Sequence, residues 1–276
     1  MRFTVRHETR YRYSLPVVLG PHVLRLTPRP DHWLLSRTLV VRPQPLAFGD
    51  EVDAFGNATT RVVFPAAPTE ELFIESAFQL ETARPAPASV AQSLQWPPVI
   101  SDGLAAFHAS GTSIDAGVAS FGRALLAEAG HDLLPFLDHL CRTVHSRADK
   151  RIRPAGDAQS AAETLATWRG ACRDFTVLFI DVVRSLGLAA RFCSGYQAEA
   201  ETPDGRSYLH AWPEVFIPGI GWRGWDPTHG IPVTDGHVAL CAAPEQAGTM
   251  PVVGSFSFSG QSITSTLDFD LRITTT

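Results

Sequence analysis

The chain has 276 residues, 45% of them hydrophobic and 18% charged. That is enough apolar material for a sizeable core and too little charge for a disordered chain. A net charge of −5, with no window approaching the roughly 18 apolar residues of a spanning helix, leaves neither nucleic acid nor a membrane as an expected partner.

Residues 1–82 read as all-β. Phe3, Val5, His7, Thr9, Tyr11 and Tyr13 recur at period two. Further strand-like runs are Val23 to Leu26, Thr38 to Arg42, Thr60 to Phe64 and Leu72 to Leu80. They are separated by turn signals at Gly20-Pro21, Pro28 to Asp31, Gly49-Asp50 and Gly56-Asn57. Short strands at this spacing predict a sandwich-like domain over 1–84. The proline- and alanine-rich stretch that follows predicts a linker over 85–99. The charged, alternating N-terminus is unlike a signal peptide, so a cytoplasmic location is expected.

The second domain spans 100–276. Apolar residues from Phe121 to Val144 fall at three-to-four spacing, with Gly130 dividing two helices and Pro135 near the start of the second. Ser160 and Glu163 form an S-x-x-E capping pattern for a third. A fourth runs from Cys172 to Leu186 and stops at Gly187. Strands follow at Ala189 to Tyr196, Leu209 to Ile217, Gly221 to Trp225, Val238 to Cys241, Val252 to Phe258 and Ser265 to Thr274. Helices followed by antiparallel strands predict an α+β fold. The last strands, within 250–276, have room to pack back on the first domain. There is no internal repeat.

The four cysteines, Cys141, Cys172, Cys193 and Cys241, lie far apart and contain no C-x-x-C pair. They read as free thiols rather than a disulfide framework or a zinc site. Cys172 opens a helix in Gly170-Ala171-Cys172-Arg173-Asp174-Phe175. Unpaired N–H groups and the helix dipole favour thiolate there. Read alone, such a cysteine is more often a buried residue, here packing under Phe175. Thirty-eight residues after Cys172 comes His210, within Tyr208 to Val215, which reads as a strand with His210, Trp212 and Glu214 on one face. Sixteen residues after His210 comes Asp226, which a hairpin turning at Pro218-Gly219 would bring beside it. Cys172, His210 and Asp226 thus stand in the order nucleophile, base, orienter, the three roles acyl transfer needs.

The segments G-A-C-R-D-F, L-G-L-A-A-R-F-C-S-G-Y, H-A-W-P-E-V and G-W-D-P-T-H-G resemble the transglutaminase-like superfamily of papain-like cysteine enzymes. Among the first eighty residues, Y-R-Y-S-L-P-V, H-V-L-R-L-T-P-R and D-A-F-G-N resemble the N-terminal β-domain of its bacterial members. The resemblance implies a papain-like core of helices packed on an antiparallel sheet. It implies catalytic roles for Cys172 as nucleophile, His210 as general base and Asp226 as orienter, with no cofactor and no metal. The substrate would be a peptide or protein amide, attacked through a thioester on Cys172. Hydrolysis by a protease or amidase is the preferred outcome. Transfer to an amine, as in a protein-glutamine transglutaminase, is the alternative, and a non-catalytic binding module of the same fold is a third reading.

Ala171 and Arg173 depart from the residues that members of this superfamily often carry beside the cysteine. Arg173 either adds positive charge near the thiolate or points to solvent. The backbone N–H of Cys172 is one natural oxyanion donor, and Trp168 is left unassigned as a second. Gly219 to Gly224 spells G-x-G-x-x-G but precedes no helix, so it reads as a hairpin turn. Asp174 reads as a carboxylate favoured near a helix N-terminus, Glu214 as an exposed or arginine-paired strand residue, and His229 as a rival base disfavoured by order and spacing. Trp212, Trp222 and Trp225 read as cleft wall or core, and Cys141 and Cys193 as packing. Asn57 belongs to a glycosylation sequon read only as a turn. Lys150 and Asn57 are the sole lysine and asparagine, a bias that decides nothing between hydrolase and transglutaminase.

Overall fold

The computed structural model describes residues 1–30, 32–82, 102–108, 113–153, 156–198, 206–260 and 262–276. The linker expected at 85–99 lies outside the described residues, and with it the boundary between 1–84 and 100–276. The fold is α+β, with an N-terminal antiparallel sheet and a core of helices against a second antiparallel sheet.

Strand β1 (Arg2–Leu24) is the spine of the first sheet. Its alternation buries Phe3, Val5, His7 and Thr9, exposes Thr4 and Arg6 between them and leaves Glu8 half-buried. β2 (Trp33–Arg42), β3 (Ala47–Val52), β4 (Ala58–Val63) and β5 (Pro68–Glu81) give the order β2-β5-β1-β4-β3. The sheet curls until its ends meet, where Arg37 on β2 holds Asp50 on β3 at 2.7 Å. The C-terminal strands β13 (Val252–Ser257) and β14 (Ser265–Thr275) both pair antiparallel with β1. Two sequence expectations fail here. Gly49-Asp50 is not a turn but lies inside β3, where the two residues pair with Arg61 and Thr60 of β4. Gly20-Pro21 is not a turn, because β1 runs through it. Proline has no N–H for the ladder, and the register with β13 shifts between Leu19 and His22 instead of the strand ending.

The helices follow the expected pattern. After the short α1 (Ala105–His108), α2 (Ala116–Glu128) is capped by the Asp115 carboxylate, which accepts from Gly117 and Val118 N–H. Gly130 and His131, both at positive φ, separate it from α3 (Leu133–Arg147). Ser160 caps α4 (Ala161–Thr167), its hydroxyl accepting from the Glu163 N–H at 3.2 Å. The Glu163 carboxylate accepts from the Gln159 side chain. α5 (Cys172–Ser185) is the central helix and ends before Gly187. Its Phe175, Leu178, Phe179, Val182 and Val183 are fully buried, packed with α2, α3 and the second sheet. Each such side chain contributes about 1.5–3 kcal/mol by leaving water. Among the described residues no helix is long and apolar enough to cross a membrane.

The second sheet contains β8 (Ala190–Gln197), β9 (His210–Ile217), β10 (Gly221–Asp226), β11 (Ile231–Pro232) and β12 (His237–Ala243), in the order β11-β10-β9-β8-β12. Gly219 to Gly224 forms the β9–β10 hairpin, as the sequence indicated. Two short strands, β6 (Asp149–Lys150) and β7 (Arg169–Gly170), pair in parallel just before α5.

The two sheets share a core. Tyr196, Val238, Leu240 and Cys241 from the second complete the apolar cluster of the first. His7 Nδ1 meets the Tyr196 hydroxyl at 2.9 Å in this buried layer. Asn57 does more than its turn reading implied. It is completely buried, its amide donates to the Ala242 carbonyl at 2.9 Å, and its carbonyl accepts the Ala242 N–H at 2.8 Å. One side chain thus extends the ladder of β12 into the N-terminal unit.

Candidate active site

The parallel β6–β7 pair delivers the chain to the start of α5. There Gly170 sits so close to Asp174 that a Cβ would come within 2.7 Å of the Asp174 Cβ. The Asp174 carboxylate is fully buried and accepts from Ala171 N–H at 2.6 Å, Gln159 N–H at 2.8 Å and Arg153 at 2.6 Å. The sequence reading of Asp174 as a helix-start carboxylate holds, with the addition of these partners. They fix the turn that presents Cys172. Arg173 donates to the Arg153 carbonyl at 2.8 Å, so one of its guanidinium N–H groups is engaged by the backbone. As the first residue of α5, Cys172 has an N–H beyond the reach of intrahelical acceptors.

His210 is the first residue of β9, paired with Gly195 of β8. In the β9–β10 ladder Gly224 faces Glu214. Continuing that register puts Asp226 on the face of Trp212 and His210. His210 Nε2 and Asp226 Oδ2 are 2.7 Å apart, and the His210 ring also hydrogen-bonds Cys172. With Nε2 turned to the carboxylate, Nδ1 is the nitrogen that faces sulfur. The three residues singled out from sequence therefore meet in one place.

Asp226 serves more than His210. It is fully buried, and its Oδ2 also meets His229 Nδ1 at 2.8 Å and His237 Nε2 at 3.1 Å. Its Oδ1 accepts the N–H groups of Thr228 and His229. A carboxylate only accepts, so each imidazole nitrogen aimed at it carries hydrogen. His229, disfavoured as a base, is thus a second ring on the same carboxylate, 5.1 Å from His210 between centroids. His237 was not singled out from sequence; only the antiparallel sheet brings it here. One nitrogen or oxygen atom from each of His210, Asp226 and His229 lies within 4.8 Å of the other two, as metal ligands would. The hydrogen-bond fan on Asp226 accounts for that cluster without an ion.

Charge in the site follows from these contacts. Burial works to lower the His210 pKa, but the Asp226 charge and hydrogen bond, with Cys172 adding to them, raise it to about 10. Burial works against the Asp226 anion, yet the His210 charge and three imidazole hydrogen bonds hold its carboxyl well below the usual range. Burial lowers the His237 pKa against the opposing pull of its Asp226 hydrogen bond.

The other rings and thiols take structural places. Trp212 and Trp225 are core; Trp222 packs with Phe107 and Phe216 beneath the Arg191 guanidinium. Trp168 packs on Phe121 and Arg147. Glu214 is buried and paired with Arg191 at 2.6 Å, the second of the two readings left open. Cys141, Cys193 and Cys241 are buried, while Cys172 is partly exposed. It borders a cavity of about 440 Å³ shared with His210, His229 and Lys150.

Residues 3–81 match the bacterial transglutaminase-like N-terminal region, and residues 122–227 match the transglutaminase-like superfamily. A protein of Mycobacterium leprae is 27% identical over 273 residues, covering 94% of each chain. One of Mycobacterium tuberculosis is 26% identical over 274 residues, covering 92% of this chain and 87% of that one. Both are described as uncharacterised. A crystal structure from Cytophaga hutchinsonii, described provisionally as a cysteine protease, superposes with a TM-score of 0.69 at 17% identity. The match covers 100% of this chain and 91% of that one, and shows the same fold.

Proposed function

For this chain, which belongs to the transglutaminase-like superfamily, we propose cysteine-dependent acyl transfer on peptide or side-chain amides, with water as the final acceptor. The observation that carries the reading is the His210 ring held between the Cys172 thiol and the Asp226 carboxylate.

His210 takes the Cys172 thiol proton, and the sulfur adds to the amide carbonyl carbon. The developing oxyanion takes a hydrogen bond from the Cys172 N–H at the helix start. As the C–N bond breaks, the leaving amine takes a proton from His210, and a thioester remains on sulfur. Water then adds to the thioester. His210 takes its proton, the C–S bond breaks, and the acid leaves. Asp226 keeps the His210 ring oriented and stabilises its cation through both steps. Partial exposure of Cys172 in a cavity supports water as the acceptor, since transfer to an amine requires a thioester sheltered from water.

The test is incubation with a peptide library, with and without a primary amine, read by mass spectrometry against Cys172→Ala. Cleavage or deamidation without added amine, absent in the variant, is the expected result. Products formed only with amine would make the protein a transglutaminase. No Cys172-dependent product under either condition would reduce it to a binding module.

A further inference from the structure

The inner face of the N-terminal sheet does not end where it covers the second sheet. Cross-strand partners share a face, and the β1–β14 register pairs His7 with Leu271, Thr9 with Phe269 and Tyr11 with Leu267. His7 lies against Tyr196, so this is the face turned toward the second sheet. Along β14 the apolar side chains on it emerge step by step. Leu271 is 7% exposed, Phe269 36% and Leu267 50%. Tyr208, two residues before His210, closes the corner with its ring edge-on to Phe269 at 5.5 Å. Tyr11, Leu267, Phe269 and Tyr208 border the same cavity as Cys172 and His210.

We propose that Leu267 and Phe269, with Tyr11 and Tyr208, form a binding ledge for one bulky apolar or aromatic side chain of an extended peptide whose neighbouring amide lies at Cys172. The inference rests on the reading of Cys172 as the reacting group and adds the class of substrate. An apolar ledge continuous with the reacting centre gains affinity by removing a substrate side chain from water, and it fixes which bond reaches the sulfur. It also gives the N-terminal sheet a part in substrate choice, since β1 and β14 supply three of the four side chains.

The ledge is tested by binding, independently of turnover. Full-length Cys172→Ala is titrated with end-blocked peptides that differ at one position, carrying Phe, Leu, Ser or Asp. The Phe and Leu peptides are expected to bind about tenfold or more tightly than the Ser and Asp peptides. The double variant Leu267→Thr/Phe269→Thr, which keeps strand-favouring residues on β14, is expected to abolish that preference; Leu267→Thr alone, at the most exposed position, should reduce it. Equal binding of all four peptides, or a preference unchanged in both variants, overturns the proposal. An apolar preference that the variants remove, in a protein whose Cys172 form shows no turnover, upholds the ledge and sinks the catalytic reading alone.

Discussion

Asp226 stands 2.7 Å from the His210 ring and carries two further imidazoles on the same oxygen. A carboxylate shared in this way keeps its charge and its place when one partner moves. Replacing it with asparagine keeps the volume but removes the anion that stabilises the His210 cation. Asp226→Asn and His210→Ala are each expected to keep the fold and to lower kcat/KM by about two to four orders of magnitude. Steady-state kinetics with far-UV circular dichroism checks this; full activity in either variant removes that residue from the mechanism.

The same pair sets an alkaline limit. The unfolded chain's histidine titrates near 6.5 and the folded His210 at about 10. Its charged form therefore stabilises the fold fully below about pH 6.5, and that contribution fades as pH rises through about 10. The Tm of the native chain should fall between pH 7 and 10 more steeply than that of His210→Gln. Parallel curves for the two proteins would show that the imidazolium contributes nothing.

His7 sets the acid limit from the other side of the shared core. Burial lowers its pKa to about 4, so the folded state holds it neutral beside Tyr196. The unfolded chain binds this proton from about pH 6.5 downward. Stability is therefore lost as pH falls from about 6.5 to about 4, by roughly 3 kcal/mol, and no further below that. His7→Gln should show a flatter acid limb in thermal melts at pH 7, 5.5 and 4. An identical limb would mean that another group drives acid unfolding.

Alkylation separates the thiols. Burial raises the Cys141 and Cys241 pKa values, the latter to about 12, and Cys193 is fully buried. Cys172 alone is partly exposed and hydrogen-bonded to an imidazole. Limiting iodoacetamide at pH 7 should label Cys172 before the rest, with all four labelled after denaturation. Peptide mapping that finds another thiol modified first would contradict the site.

What the sequence disclosed was local or ordered along the chain. The helix start at Cys172, the Ser160 cap, and the succession Cys172, His210, Asp226 all needed only neighbours or one hairpin. His237 reaches Asp226 through a strand at the far edge of the sheet from β10, and Phe269 reaches the cleft through pairing with β1. No periodicity encodes such non-local register. Gly20-Pro21 misled for the converse reason: a good turn signal was overridden by β13, which pairs with β1 before and after it, and by β4, which pairs from His22 onward.

Asn57 is the sharpest case, because its turn position hid an attachment 185 residues away. Its amide pairs with both backbone groups of Ala242, donates to Asp53 at 2.9 Å and accepts from Arg29. Asn57→Leu fills similar space but leaves the Ala242 N–H and carbonyl unpaired in a dry interface. Each buried orphan costs about 1–3 kcal/mol, so a loss of about 3 kcal/mol is expected. At about 2–4 °C per kcal/mol for a chain of this size, Tm should drop by roughly 6–12 °C. Asn57→Asp is the stricter probe. It retains the acceptor for the Ala242 N–H but turns the donor into a second acceptor, facing both the Ala242 carbonyl and the Asp53 carboxylate. It should destabilise as much as leucine does at pH 7. A melt within about a degree of the native chain for both variants would show that the N-terminal unit is held to β12 by the shared apolar core alone.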